Sequence, residues 1–375
     1  MIYFDNAATT RPSDAAVEAV CRGLREFGNP SSLHGLGLTA EQNREQARHI
    51  IAEALGASDE EIFFTSCATE SSNTAIFGAA ASLGKRKKKI VTTSVEHPSV
   101  EMCCRKLEEE GFTVVRVSPG DDGAVRAGDI VAAVDENTCL VTCMQVNNET
   151  GAVIPVEQAF RQIRKKYPQT LLHCDCVQSF MKLPVRAKTL GADMLSISAH
   201  KIHGPKGIGA LYVRKGVHIP TRMFGGGQER GFRSGTESVP MIMGFGAACA
   251  ELSKNISERY QKVSQLHKYL TDRCVENGIA VNISPEYSPY IASIAVKGLR
   301  SEVLLHFLEQ KGIYVSSGSA CSKGKKSSVT AEFKIPEELR DSVLRISFCA
   351  ENTEAEIDEL IAAINEANRT LAKIR

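Results

Sequence analysis

From Glu61 onward the chain alternates short aliphatic and β-branched runs with longer amphipathic stretches, and no other feature restricts its fold as much. Strands are expected at residues 61–64, 90–93, 113–117, 138–144, 171–174, 194–198 and 208–213, with helices such as 70–81 and 155–166 between several of them. Parallel strands need long crossovers, usually helical, and this rhythm supplies them. It predicts an α/β fold: a large domain with a mainly parallel sheet covered by helices on both faces. Ligands of such sheets bind where strands end and loops begin.

The remaining segments fit around that body. Residues 1–14 are polar and turn-rich, with no self-sufficient element, and are expected to lie across something larger. A first helix is expected over 40–55, ended by Gly56. After Gly226 comes a glycine-rich loop, then one long helix over 239–276 bridging to a smaller C-terminal α/β domain. That domain carries strands at 291–296, 313–316 and 343–348, a helix at 302–310, and a last helix opened by the capping box Thr353-Glu-Ala-Glu356. The expected division is 15–258 for the large domain, with 1–14 joined to 259–375 in the small one.

Composition narrows the function. Lys+Arg total 45 against Asp+Glu 44, so charge gives no case for nucleic acid as a partner. The dense basic run Lys85-Arg-Lys-Lys-Lys89 falls between a helix and a strand and reads as a solvated loop. No apolar run approaches the ~18 residues of a membrane span. The twelve cysteines have irregular spacing and no secretory leader before them, which predicts a cytoplasmic protein with reduced, mostly buried thiols.

Chemistry concentrates at strand ends. Lys201 lies in Ser196-Ile-Ser-Ala-His-Lys-Ile-His-Gly-Pro-Lys-Gly207, between a strand and a glycine-rich turn. It reads as a point charge on a phosphate, as an amine for a carbonyl cofactor such as pyridoxal phosphate, or as a surface lysine. A pyridoxal phosphate site needs such a lysine, a carboxylate for the pyridine nitrogen, a flat group on the ring and a cradle for the phosphate. Asp175 ends the strand at 171–174 and is either the pyridinium partner or a helix cap; Gln178 could donate to the ring phenolate oxygen. Thr69 and the flanking amides of Ala68 open a helix, as a phosphate cradle completed by Ser198 and His200 or as a plain cap. His97 follows the strand at 90–93, either to stack on a ring and shuttle a proton or as a surface histidine.

The ordered set Asp5-Asn-Ala-Ala-Thr-Thr10, Gly28-Asn-Pro-Ser-Ser-Leu-His34, Ala68-Thr-Glu-Ser71, Glu96-His97, Asn147-Asn-Glu-Thr-Gly151, His173 with Asp175 and Gln178, Ser198-Ala-His-Lys201, Gly225-Gly-Gly-Gln-Glu-Arg230, Arg233-Ser-Gly-Thr236 and Ser316-Ser-Gly-Ser-Ala-Cys321 resembles the cysteine desulfurases. These belong to the class V aminotransferase group, among fold-type I pyridoxal phosphate enzymes whose large domain carries a mainly parallel seven-stranded sheet. The resemblance covers nearly the whole chain. It implies pyridoxal 5'-phosphate as cofactor, with Lys201 as the Schiff-base lysine, Asp175 on the pyridinium, Gln178 on the phenolate oxygen and His97 on the ring. It implies phosphate ligands in Thr69, Ser198 and His200, and in Thr236 reaching the neighbouring subunit of a homodimer. Asn148 and Arg345 match groups that hold the substrate carboxylate. Cys321 matches the thiol that takes sulfur from L-cysteine as a persulfide, leaves L-alanine, and passes the sulfur to an acceptor protein for iron-sulfur clusters or for tRNA and cofactor thiolation. A selenocysteine lyase, or another class V enzyme cleaving a Cβ bond, is the alternative.

Departures from the family pattern are local. Cys67 stands where glycine is usual, which predicts backbone strain if φ is positive there. Cys176 stands for alanine and Ser72 for an acidic or amide residue, and the two extra cysteines put thiols near the cofactor. Ser322-Lys-Gly-Lys-Lys-Ser-Ser-Val-Thr330 replaces the usual pattern after Cys321, and Lys323, Lys325 and Lys326 suggest an acidic partner surface.

Overall fold

The structure, a computed structural model, describes residues 1–282, 284–317 and 328–373. Cys321, Lys323, Lys325 and Lys326 lie outside the described residues. β1 (Ile2–Tyr3) opens the chain. β2 (Ile62–Thr65), β3 (Lys89–Thr93), β4 (Thr113–Val117), β5 (Thr138–Met144), β6 (Leu171–Asp175), β7 (Met194–Ser198) and β8 (Gly209–Val213) then form one seven-stranded sheet in the order β2-β8-β7-β6-β5-β3-β4. Strands β7, β6, β5, β3 and β4 pair in parallel, as the strand-helix rhythm requires. β8 pairs antiparallel with both β7 and β2. Its connection from β7 is too short for a helical crossover, so the chain turns straight back, and Lys201 lies in that turn.

Both faces of the sheet are covered. Neighbouring strand residues feed opposite cores: Ile90 and Leu140 join one buried cluster, Val91 and Val141 the other. The helix expected at 40–55 spans Gly35–Leu55, and a further helix, Asp14–Arg25, precedes it. The single helix expected over 239–276 is two, Val239–Ser253 and Ile256–Glu276, because Asn255 leaves helical geometry at φ −148 and ψ 30. Asparagine competes well for backbone partners outside a helix, and here it separates a largely buried helix from an amphipathic one.

In the C-terminal part, β9 (Ala280–Asn282), β10 (Ile291–Ala295), β12 (Ser316–Ser317) and β13 (Val343–Ser347) form an antiparallel sheet in the order β12-β13-β10-β9. β11 (Ile313–Tyr314) pairs instead with β1, in parallel, so the strand expected at 313–316 is divided between two partners. The N-terminal arm is thereby bound to the C-terminal part, and Ile2 and Phe4 share a core with Leu344, Ile346 and Leu360. Thr353 caps the last helix, Glu354–Thr370, with both bonds of the expected capping box formed.

Candidate active site

Strands β6 and β7 are parallel neighbours with Asp175 paired to Ser196, so Asp175 and Lys201 emerge at the same edge of the sheet. A cavity of about 390 Å³ opens there. It brings together Ala68, Thr69, His97, Asn148, Asp175, Gln178, Ser198, His200, Lys201 and Arg345, residues from distant parts of the chain. Thr236 is exposed and does not line it.

Lys201 Nζ donates to the main-chain oxygens of Ala7 at 2.6 Å and Ala8 at 2.7 Å. The N-terminal arm therefore supplies acceptors for this ammonium. Gln178 Nε2 donates to the same Ala7 oxygen at 2.8 Å, and Lys182 Nζ donates to Gln178 Oε1 at 3.3 Å. Lys182 is buried; desolvation, with Lys201 nearby, brings its pKa down to about 7.

Asp175 accepts from the Val177 amide at 2.9 Å, but the residues after it form a turn and not a helix, so it caps none. Burial pushes its carboxyl up, against the Val177 hydrogen bond and the charges of His97 and Lys201. His97 caps the helix Pro98–Glu109: its Nδ1 accepts from the Ser99 amide at 3.1 Å, which assigns the ring proton to Nε2. Burial foremost lowers its pKa, with Asp175 opposing and Lys201 adding to it. Beneath it Glu96 is buried, accepting from Thr93 Oγ1 at 2.6 Å and from the Met144 amide at 3.0 Å. Burial raises Glu96 to about 8. This carboxyl ties the loop after β3 to the end of β5 and so fixes where His97 leaves the sheet.

Other residues of the cavity could hold an anion. The helix Ala68–Leu83 begins there, and its first-turn amides have no intrahelical acceptor. Ser198 Oγ is buried without a hydrogen-bond partner, and desolvation first, then Lys201, lowers His200 to about 4. Cys67 has φ −173, extended backbone, so the strain anticipated for it does not arise. The tight residue is Gly209 instead, where a Cβ would meet Ile197 O at 2.8 Å and the Cys67 carbonyl carbon at 2.9 Å. Cys67 lines the cavity; Cys176 does not, and lies buried with its Sγ 3.5 Å from that of Cys174. Ser72 Oγ donates to Ser196 Oγ at 3.1 Å, which contacts His173 Nε2 at 2.9 Å in a buried polar chain under the sheet.

Arg345, on β13, closes the cavity. Its Nη1 donates to Asn148 O at 2.9 Å and its Nη2 to Asp5 Oδ1 at 2.8 Å, while Nε is buried without a partner. Arg345 and Lys201 line the same cavity, and a guanidinium there suits an amino acid carboxylate. An orphaned buried hydroxyl, first-turn amides and a buried aspartate likewise fit the phosphate and pyridine ends of pyridoxal phosphate. Sequence reasoning gave no role to Lys182, to the Ala7 and Ala8 carbonyls, or to Glu96. Only Glu96 and the arm had a signal, as members of the quoted motifs.

The chain belongs to the aminotransferase class-V family, whose model matches residues 2–360. Members of this family use pyridoxal phosphate. Within it the full-length likeness is to cysteine desulfurases. The cysteine desulfurase of Nostoc sp. is 39% identical over 372 residues, covering 98% of this chain and 92% of that protein. A solved NifS-like protein superposes with a TM-score of 0.93 at 39% identity, covering 99% of this chain and all of the other. A structure named SspA in complex with cysteine gives a TM-score of 0.82 at 31% identity, covering 94% and 100%.

Proposed function

We propose that this chain holds pyridoxal 5'-phosphate and uses it to convert L-cysteine to L-alanine, with Cys321 taking the sulfur as a persulfide. The observation that carries this reading is the convergence of Lys201, Asp175, His97, Ser198 and Arg345 on one cavity. Asp175 would keep the pyridine nitrogen protonated, Gln178 would face the phenolate oxygen, His97 the ring, and Thr69, Ser198 and His200 the phosphate. When bound, the cofactor supplies an electron sink for the carbon bearing the substrate amine. Arg345 and Asn148 orient the substrate carboxylate, and Lys201 Nζ takes and returns the proton at Cα. Cys321 Sγ forms an S–S bond to the substrate sulfur as the Cβ–S bond breaks and its electron pair stays with carbon. A thiolate of an acceptor protein then attacks the outer sulfur, forming a new S–S bond as the one to Cys321 breaks and Cys321 leaves as its thiolate.

Two features support the wider reading. Leu24, Phe27, Leu33 and Phe224 are large apolar residues left exposed, with Leu33 94% exposed, and a homodimer would cover such a surface. Thr236 follows closely on the bridge Met223↔Arg233 beside Phe224, where it would serve a partner's phosphate. We place the cofactor unit at 15–258, with 1–14 and 259–375 as the second unit, on the shared core of the arm and the C-terminal part. Among the described residues no helix is long and apolar enough to cross a membrane, and every described cysteine is free, which agrees with a reducing, cytoplasmic setting.

The test is to incubate the cofactor-loaded protein with L-cysteine, quantify alanine, and trap persulfide by alkylation and peptide mass spectrometry. Wild type is expected to carry the extra sulfur on Cys321, and Cys321→Ser to bind cysteine yet carry none there. Wild-type sulfur release by Cys321→Ser would refute the assignment of that thiol. Selenocysteine in place of cysteine discriminates the lyase alternative.

A further inference from the structure

A second cavity, of about 440 Å³, lies between the N-terminal arm, the loop after Lys201 and the loop after β13. There His203, Cys349 and Glu351 bring an imidazole nitrogen, a thiol sulfur and a carboxylate oxygen within 4.8 Å of one another. We propose that these three side chains bind a thiophilic divalent cation of the zinc type.

The ligand set selects the ion. A nitrogen, a sulfur and one oxygen suit zinc and its neighbours, whereas magnesium and calcium require oxygen shells. His203 is already oriented for the task. Its amide donates to Thr10 Oγ1 at 2.7 Å, its carbonyl accepts from the Ser13 amide at 2.9 Å, and its φ is 62, uncommon for a residue with a side chain. Its Nδ1 lies 2.9 Å from Arg11 O, an acceptor only, so Nδ1 carries the proton and Nε2 presents its lone pair, 4.0 Å from Glu351 Oε2. A backbone carbonyl on the far nitrogen is how metal-binding histidines are commonly fixed.

Cys349 is held by its own amide, which donates to Asn352 Oδ1 at 2.9 Å. Glu351 is the adjustable ligand, its side chain 59% exposed. Arg259 Nη2 lies 2.7 Å from Oε1 and 3.0 Å from Oε2, which leaves each oxygen a second lone pair. Tetrahedral zinc with bonds of about 2.0–2.3 Å sets its ligand atoms roughly 3.3–3.7 Å apart, so three atoms now within 4.8 Å of one another must close by up to about 1 Å, through the Glu351 and Cys349 side chains together. On binding, the Cys349 S–H bond breaks, a sulfur–metal bond forms and the proton passes to solvent. Thiolate and carboxylate neutralise the dication, and the open cavity leaves the fourth position to water. The ion would pin the loop two residues beyond Lys201 to the loop four residues beyond Arg345, joining the segments that carry cofactor lysine and substrate arginine.

The test uses cobalt(II) as the probe, added to full-length, chelator-stripped protein. A thiolate-to-cobalt charge-transfer band saturating at one equivalent is expected in wild type and equally in Cys321→Ser. The band should vanish in Cys349→Ser and in His203→Asn, a residue that tolerates positive φ, and weaken in Glu351→Gln, whose exposed position spares the fold. Zinc should abolish the band and raise the thermal midpoint of wild type but not of Cys349→Ser. Survival of the band in Cys349→Ser, its loss in Cys321→Ser, or no cobalt bound at equimolar concentration would overturn the proposal.

Discussion

Lys182, bonded to Gln178, and Glu96, next to His97, are buried ionisable groups behind the cavity's lining, and their shifts run in opposite directions. Glu96, raised from 4.5 to about 8, stays protonated in the fold over a range where the unfolded chain ionises. The native state then binds more protons, so this group's stabilisation is full below pH 4.5 and is lost as pH rises through 8. Lys182, lowered from 10.5 to about 7, reverses the sign: its stabilisation is full above pH 10.5 and is lost as pH falls through 7. At about 1.4 kcal/mol per pKa unit each window is steep enough to measure. Urea midpoints across pH 5–10 should show Glu96→Gln flattening the acid-side decline and Lys182→Met flattening the alkaline-side rise; unchanged slopes would mean both groups are charged in the fold. Arg345→Lys, which loses the planar fork between Asn148 and Asp5, should raise KM for cysteine about 10- to 100-fold, read from steady-state alanine formation.

Among the elements, β8 is closely placed, because Gly209 lets the start of the Ala68–Leu83 helix rest against it. Gly209→Ala is expected to cost about 1–3 kcal/mol in urea unfolding and to weaken pyridoxal phosphate binding in an absorbance titration. A destabilised variant with unchanged cofactor affinity would show that the cradle does not depend on that approach. Sequence periodicity located β8 but not its direction, since alternation of apolar residues is the same for a strand running either way. The break at Asn255 was missed for a related reason: helical pattern continues on both sides of it, and one residue carries the change. Lys201 and Asp175 were legible because their chemistry is specific and their spacing is tied to strand ends, whereas Arg345, in the middle of β13, came only from the family resemblance. Lys182 was not, because a lysine four residues after a glutamine looks like surface until burial is known.

At the level of the whole molecule, the exposed Thr236 and the apolar residues near it make subunit mixing informative. Lys201→Ala and Thr236→Ala protomers, unfolded together and reassembled in equal amounts, should regain activity in about one quarter of their sites if Thr236 serves the partner, and in none if it serves its own chain. Size measurement by light scattering should show twice the 40.7 kDa chain mass. The arm adds a constraint of another kind, one of time. Ala7 and Ala8 hold Lys201 by their carbonyls, yet the arm is itself fastened by β11 and by Ser347, whose Oγ accepts from the Ala7 amide. About 340 residues separate those partners, roughly 20–70 s of synthesis at 5–20 residues per second. The arm therefore waits for Ser347 to be made before it can dock. A nascent or truncated chain that stops short of Ser347 would carry Lys201 without the docked carbonyls of Ala7 and Ala8 that position it.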